Sequence, residues 1–214
     1  MPRRRSYTDA DLAVAAKQVF WERGYEGTAV DDLQEVTGLS RSSLYLAFGT
    51  KRAVFDAALG EYVMSFIEPR IGPVEAPTAG PREAAAFFRG LAQYFRRPDA
   101  DRGCLMINSI AELAGRDPSF SPVAESFTNR LRAAFSHALE GGAAATGMTR
   151  KQIARRADML TASTLGVWLT VRSDAAGAAS TCRAIADEIT AWSPSPQGSE
   201  ASPGTSRKPS RRER

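Results

Sequence analysis

Between Ser40 and Lys51 the chain sets out side chains suited to one kind of chemistry: gripping a nucleic-acid backbone and reading base edges. Arg41 can donate two hydrogen bonds to a guanine edge, the commonest specific contact in the major groove. Ser42 and Ser43 are short enough to let a helix approach closely and can bond bases or phosphates. Leu46 can touch a thymine methyl. Hydroxyls and cations near the ends of such a helix hold phosphates, which adds Ser40, Lys51 and, at the start of the preceding helix, Thr28. Arg3, Arg4 and Arg5 form an N-terminal arm able to enter a minor groove or lie along phosphates.

These residues need a frame. Thr28 and Asp31 have the form of a capping box and open a short helix whose apolar side is Val30, Leu33 and Val36. Gly38 ends it, and Ser40 caps a second helix over Arg41 to Phe48, which Gly49 closes. Thr50 caps the next. Helix, tight turn, helix is the arrangement whose second helix can lie in the major groove. A preceding helix, capped by Thr8 with Asp11 and running to about Arg23, supplies Leu12, Ala16, Val19 and Phe20 on one side. A fourth, from about Lys51 to Ile67, carries more apolar surface than three short helices can cover, so it also packs on the C-terminal part of the chain.

Pro69 to Pro81 holds four prolines and reads as punctuation and a domain boundary. Beyond it the periodicity predicts helices over Pro81 to about Arg97, Cys104 to Ala114, Pro122 to Leu139, Arg150 to Val171 and Asp174 to Trp192. Val123, Phe127, Leu131, Ala134 and Ala138 form the buried stripe of the third of these. No strand pattern occurs, so the fold class is all-α. The expected domains are 1–50, a helix-turn-helix unit with its basic arm; 51–192, a larger helical domain; and 193–214, a Ser/Pro/Arg-rich disordered tail.

Composition is that of a soluble globular protein, with 43% apolar and 24% charged residues. The formal charge of +4 permits a polyanionic partner without demanding one. In the first fifty-odd residues it is placement that counts: bases at Arg3 to Arg5, Arg41, Lys51 and Arg52, acids at helix starts, where they complement the helix dipole. The longest apolar-rich run, Met159 to Val171, is too short to span a bilayer. The basic N-terminus is not followed by an apolar segment, so no signal peptide is expected. Cys104 and Cys182, far apart, fit small buried hydrophobes in a reducing cytoplasm. With His137 the only histidine, no catalytic triad or metal site can be assembled, and no glycine-rich phosphate loop occurs. No enzyme activity, cofactor or metal is expected.

GYEGTAV, the turn TGLS and SSLYLAFGTKRAVF together resemble the tetracycline-repressor (TetR) family of bacterial transcription regulators, most strongly over residues 12 to 59. RGCLMINSIAEL resembles a piece of the regulatory domain in a subset of that family. Three positions depart from the usual pattern. Ala47 stands where histidine is common, removing one phosphate contact, and Gln34 and Leu39 replace the more usual alanine and valine. The resemblance implies that Tyr45 reaches a phosphate through its hydroxyl while its ring packs inward. It also implies a homodimer joined through the last two helices, a palindromic double-stranded DNA operator, and release by a small-molecule effector acting through the fourth helix. The reading is a cytoplasmic regulator, acting as a repressor, with no membrane partner. Phe87, Tyr94, Cys104, Asn108, Glu112 and Trp168 place polar or aromatic groups among apolar neighbours and are the candidate ligand contacts. Aromatic-rich helices with few basic residues inside point to a hydrophobic, neutral or cationic effector.

Overall fold

The computed structural model describes residues 8–192; the arm Arg3, Arg4 and Arg5 and the tail 193–214 lie outside the described residues. Within them every regular element is helical. Helix α1 (Asp9–Arg23) starts on a complete capping box between Thr8 and Asp11. Helices α2 (Val30–Thr37) and α3 (Arg41–Phe48) come next, separated by Gly38 at φ 67°, a conformation glycine adopts without steric cost. Ser40 caps α3 by accepting the Ser43 N–H at 3.2 Å.

The opening of α2 departs from expectation. Its cap is Ala29, whose N–H is accepted by the Asp32 carboxylate at 2.7 Å. Thr28 points inward instead and donates to the Gly24 carbonyl at 2.6 Å. Val36 is exposed, and Thr37 takes the buried place on that helix, its hydroxyl satisfied by the Leu33 carbonyl at 2.6 Å.

Helix α4 (Lys51–Tyr62) packs along α1, with Phe20 edge-on to Phe55 at 5.2 Å and Trp21 edge-on to Tyr62 at 5.0 Å. It does not end at a linker. A π-helical turn (Val63–Ile67) leads straight into α5 (Glu68–Glu75), so one helical rod runs through Pro69 and Pro73. The Glu68 N–H reaches back five residues to the Val63 carbonyl, and this widened turn absorbs the missing donor of Pro69. Tertiary contacts hold the rest. Ile71 and Val74 are buried, and Arg130, on a helix further along the chain, grips Glu68 at 2.6 and 2.7 Å and Glu75 at 2.7 Å. The chain turns only after Glu75.

The remaining helices are α6 (Pro81–Tyr94), α7 (Leu105–Leu113), α8 (Ser121–Gly141), the short α9 (Ala143–Thr146), α10 (Arg150–Thr170) and α11 (Ala175–Ala191). Helix α7 is buried on most sides, as its apolar composition requires, and α11 packs on α6 while α10 packs on α8. Of the expected α8 stripe, Val123 is exposed and the others are buried; Phe120 and Ala124 take the inward places of the first turn and turn Val123 out. Aromatic rings run without a break from head to body: Trp21, Tyr62, Phe66 and Trp168 are linked at 5.0, 4.8 and 5.8 Å between successive ring centroids. Each fully buried ring contributes roughly 1.5–3 kcal/mol of apolar burial, so α4 is anchored on both sides.

Candidate nucleic-acid interface

The head formed by α1, α2, α3 and the start of α4 contains five described basic residues that could face a polyanion. Three are already paired: Lys17 with Glu61, Arg23 with Asp32, and Arg52 with Asp56 and Asp117. Arg52 therefore turns back towards the body, where it also donates to Ser119 at 3.0 Å and lies over the Phe120 ring. Its expected place among the DNA-facing cations does not hold. Arg41 and Lys51 have no carboxylate within 4.0 Å among the described residues, and they stand at the start of α3 and just past its end. Arg41 rests 5.8 Å from the Tyr45 ring centroid and Lys51 4.6 Å from that of Tyr25.

Between them α3 presents Ser42, Ser43 and Leu46 outward, with Leu46 77% exposed. The hydroxyls of Ser40, Ser42 and Ser43 interlock, at 3.0 Å from Ser40 to Ser42 and 2.9 Å from Ser40 to Ser43. Leu44 faces the core and Tyr45 is half-buried. Thr28 does not join this surface. It is 1% exposed and its hydroxyl is committed to Gly24, so its side chain offers a phosphate nothing.

The six candidate ligand contacts separate into two places. Phe87, Cys104 and Trp168 line a narrow, partly open cavity where α5, α6, α7, α8 and α10 converge, together with Arg70 and Thr164 among others. The Tyr94 ring sits at its rim, 5.6 Å from Trp168 and 5.0 Å from the Arg70 guanidinium. Burial pushes the Cys104 thiol and the Tyr94 hydroxyl above their ordinary values, so both are neutral at pH 7. About 20 Å³ of free space remains, room for one water, so the cavity is contracted.

Asn108 and Glu112 lie elsewhere, in a cleft of about 350 Å³ between head and body that Trp21, Gly24 and Arg172 also line. Asn108 donates to the Arg102 carbonyl at 2.8 Å. The Glu112 carboxylate accepts the N–H groups of Tyr25 at 3.0 Å and Glu26 at 2.8 Å. It thereby latches α7 to the turn joining α1 and α2. Gly24 has φ 75°, and a Cβ there would stand 2.7 Å from a Glu112 oxygen, so only glycine leaves room for the latch. The indole N–H of Trp21 adds a second tie, to the Gly103 carbonyl at 3.0 Å.

Arg70 escapes a reading by periodicity because it lies in the proline-rich stretch, where no helical face could be assigned. Glu112 reads correctly as a polar group on an apolar helix, but its partners lie about ninety residues earlier, beyond any local pattern.

An exposed second helix flanked by the unpaired cations among the described residues of the head, coupled to a larger helical body with a cavity in it, defines a helix-turn-helix regulator. Residues 12–58 match the profile of the bacterial regulatory proteins of the tetR family. The chain is 32% identical over 139 residues to YezE of Bacillus subtilis (strain 168), named as an uncharacterised HTH-type transcriptional regulator, a match spanning 65% of this chain and 72% of that protein. It is 32% identical over 124 residues to the HTH-type transcriptional repressor ComR of Escherichia coli (strain K12), spanning 57% of this chain and 58% of ComR. Among solved structures, a cysteine mutant of the TetR family regulator CifR, complexed with 26-base-pair double-strand operator DNA, superposes with a TM-score of 0.74. That match covers 89% of this chain and all of that one at 23% identity, a likeness of fold. The chain belongs to the TetR family of bacterial regulatory proteins and is a transcriptional regulator.

Proposed function

We propose that the protein is a cytoplasmic repressor, without enzyme activity, that binds a palindromic operator as a homodimer and lets go when a small molecule enters the cavity of the body. The observation that carries this is the pairing pattern of the head. Among the described residues of the head Lys17, Arg23 and Arg52 are paired with carboxylates, while Arg41 and Lys51, at the start of α3 and just past its end, have none within 4.0 Å. In this reading α3 enters the major groove, Arg41, Ser42, Ser43 and Leu46 meet base edges, and Ser40, Tyr45 and Lys51 hold phosphates. The solved CifR complex with operator DNA and the repressor name of ComR favour the same assignment.

A two-fold dimer suits a palindrome, since its symmetry repeats the head on both half-sites. The apolar stripes of α10 and α11 are taken up inside the protomer, against α8 and α6. What α10 leaves outward is Met159, Ala162, Gly166 and Leu169, a stripe at helical spacing whose small residues allow close approach of a second copy. Among the described residues no helix is long and apolar enough to cross a membrane.

Selection of bound sequences from a random double-stranded DNA pool, followed by anisotropy titration over a salt series, tests this reading. A palindrome should emerge, with affinity falling steeply as salt rises. Recovery of no common sequence, with equal weak binding to every duplex, would overturn it.

A further inference from the structure

Helix α5 treats its charges unequally. It carries two carboxylates and one guanidinium, yet both carboxylates, Glu68 and Glu75, go to Arg130 of α8. Arg70, in the cavity wall, has no carboxylate within 4.0 Å among the described residues. It lies flat on the Phe66 ring, 3.6 Å from the centroid, and donates to one protein acceptor, the Phe66 carbonyl at 2.6 Å. A guanidinium carries five N–H donors, and burying one without a counter-charge costs free energy that an anion would recover.

Two further groups around it are unsatisfied. The phenolic hydroxyls of Tyr62 and Tyr94 are buried and have no hydrogen-bond partner. Tyr62 is wholly inside; the Cys104 thiol lies beside its hydroxyl without meeting hydrogen-bond geometry. Such orphans are rare in proteins, and here two of them lie near the unpaired Arg70. Much of the remaining lining is apolar: Phe87, Leu91, Ile107, Phe127 and Leu131.

We infer that the cavity takes a small organic acid, its carboxylate held by Arg70 with Tyr94 beside it as a further donor and its apolar body lodged against Phe87, Phe127 and Leu131. The inference rests on the reading of this cavity as the effector site and names the class of effector. A carboxylate matches the guanidinium fork by two parallel hydrogen bonds, which an amide or an amine cannot reproduce. The expectation of a neutral or cationic effector assumed a cavity free of basic residues, and Arg70 removes that premise. Because the cavity is contracted, entry must widen it, and the anion competes with the Phe66 carbonyl for Arg70. That carbonyl belongs to the π-helical turn joining α4 to α5. A pull there is transmitted along α4 to the head.

The test uses the full chain without DNA. Benzoate, phenylacetate and octanoate, each beside its own amide, and benzylamine are titrated while tryptophan emission and melting temperature are followed; Trp168 lines the cavity and reports directly. At least one acid should bind about tenfold or more tighter than its amide. Arg70→Met should abolish that preference and Arg70→Lys should keep part of it. Should Arg70→Met fail to fold, Tyr94→Phe decides, with weakened acid binding on an intact fold. Amide or amine binding equal to that of the acid, an acid preference surviving in Arg70→Met or untouched in Tyr94→Phe, or no acid bound at millimolar concentration would overturn the inference. A second arm adds the selected operator. Acid bound directly without release of DNA leaves the ligand class standing and removes only its role as effector.

Discussion

The recognition helix and the cavity wall each present an unpaired arginine, and they do so under opposite physical conditions. Arg41 stands in water on an eight-residue helix held by a serine cap and one buried leucine, so its charge costs nothing in the free protein. Arg70 is half-buried against aromatic rings, and burial lowers its pKa from the usual arginine range, though a guanidinium stays protonated at any working pH. The first site can be altered with little consequence for folding. The second cannot, because its surroundings were assembled by five helices. In the proposed reading the one is a surface that reads and the other an interior that senses, and Glu112 is among the side chains joining them.

That junction gives the largest expected effect. Glu112→Ala removes two hydrogen bonds to a charged acceptor and should destabilise the protein by about 2–3 kcal/mol, visible in chemical denaturation. More telling is the comparison of functions. Operator affinity should change less than the response to effector, because α3 keeps its own caps while the turn at Tyr25 loses its tie to α7. Lys51, which rests on the Tyr25 ring, shares that turn. If the variant bound operator and responded to effector as the parent does, head and body would be coupled through α4 and the tie from Trp21 to Gly103 rather than through Glu112.

The second effect is smaller and confined to the reading surface. Arg41→Ala should leave stability within about 0.5 kcal/mol of the parent, as exposed substitutions usually do. Discrimination at one base pair should fall by about 1–3 kcal/mol, measured by anisotropy on operator variants. Lys51→Ala should instead weaken every duplex alike and lower the salt slope by about one. Identical profiles for the two variants would break the division of labour between reading and holding.

The head was the more legible half for a physical reason. Caps, glycines at positive φ and helical spacing act within three or four residues, so α1 and α3 could be bounded from Thr8, Asp11, Ser40 and Gly49 alone. Thr28 went astray by one position, because Ala29 and Asp32 compete for the same helix start and a threonine can bury its hydroxyl on a nearby carbonyl. The larger miss was α5. Local rules stop a helix at Pro69, but Arg130 reaches across from α8 to both of its carboxylates, and that contact spans more than fifty residues. With α5 read as a loop, Arg70 could not be placed, and neither could the polarity of the cavity.

The last effect is a difference in pH response. In the head Asp32 is held below its ordinary value of 3.8 by the Ala29 N–H and then by Arg23, and Asp11 likewise by Thr8. A carboxylate with a depressed folded pKa adds stability above its unfolded value and loses it as pH falls through the folded one. Acid should therefore loosen the caps of α1 and α2 as pH drops below about 3.8. In the body the sign reverses. Burial pushes the Cys182 thiol from 9.0 to about 12, so its neutral form is favoured by folding. Its contribution is complete below pH 9 and is lost between pH 9 and 12, as the unfolded chain ionises first. Melting temperature followed across that window should fall less steeply in Cys182→Ala than in the parent, while the acid limb stays unchanged. Equal alkaline slopes in the two proteins would mean that the thiol does not titrate with unfolding, and that the alkaline limit is set elsewhere in the packing of α11 on α6.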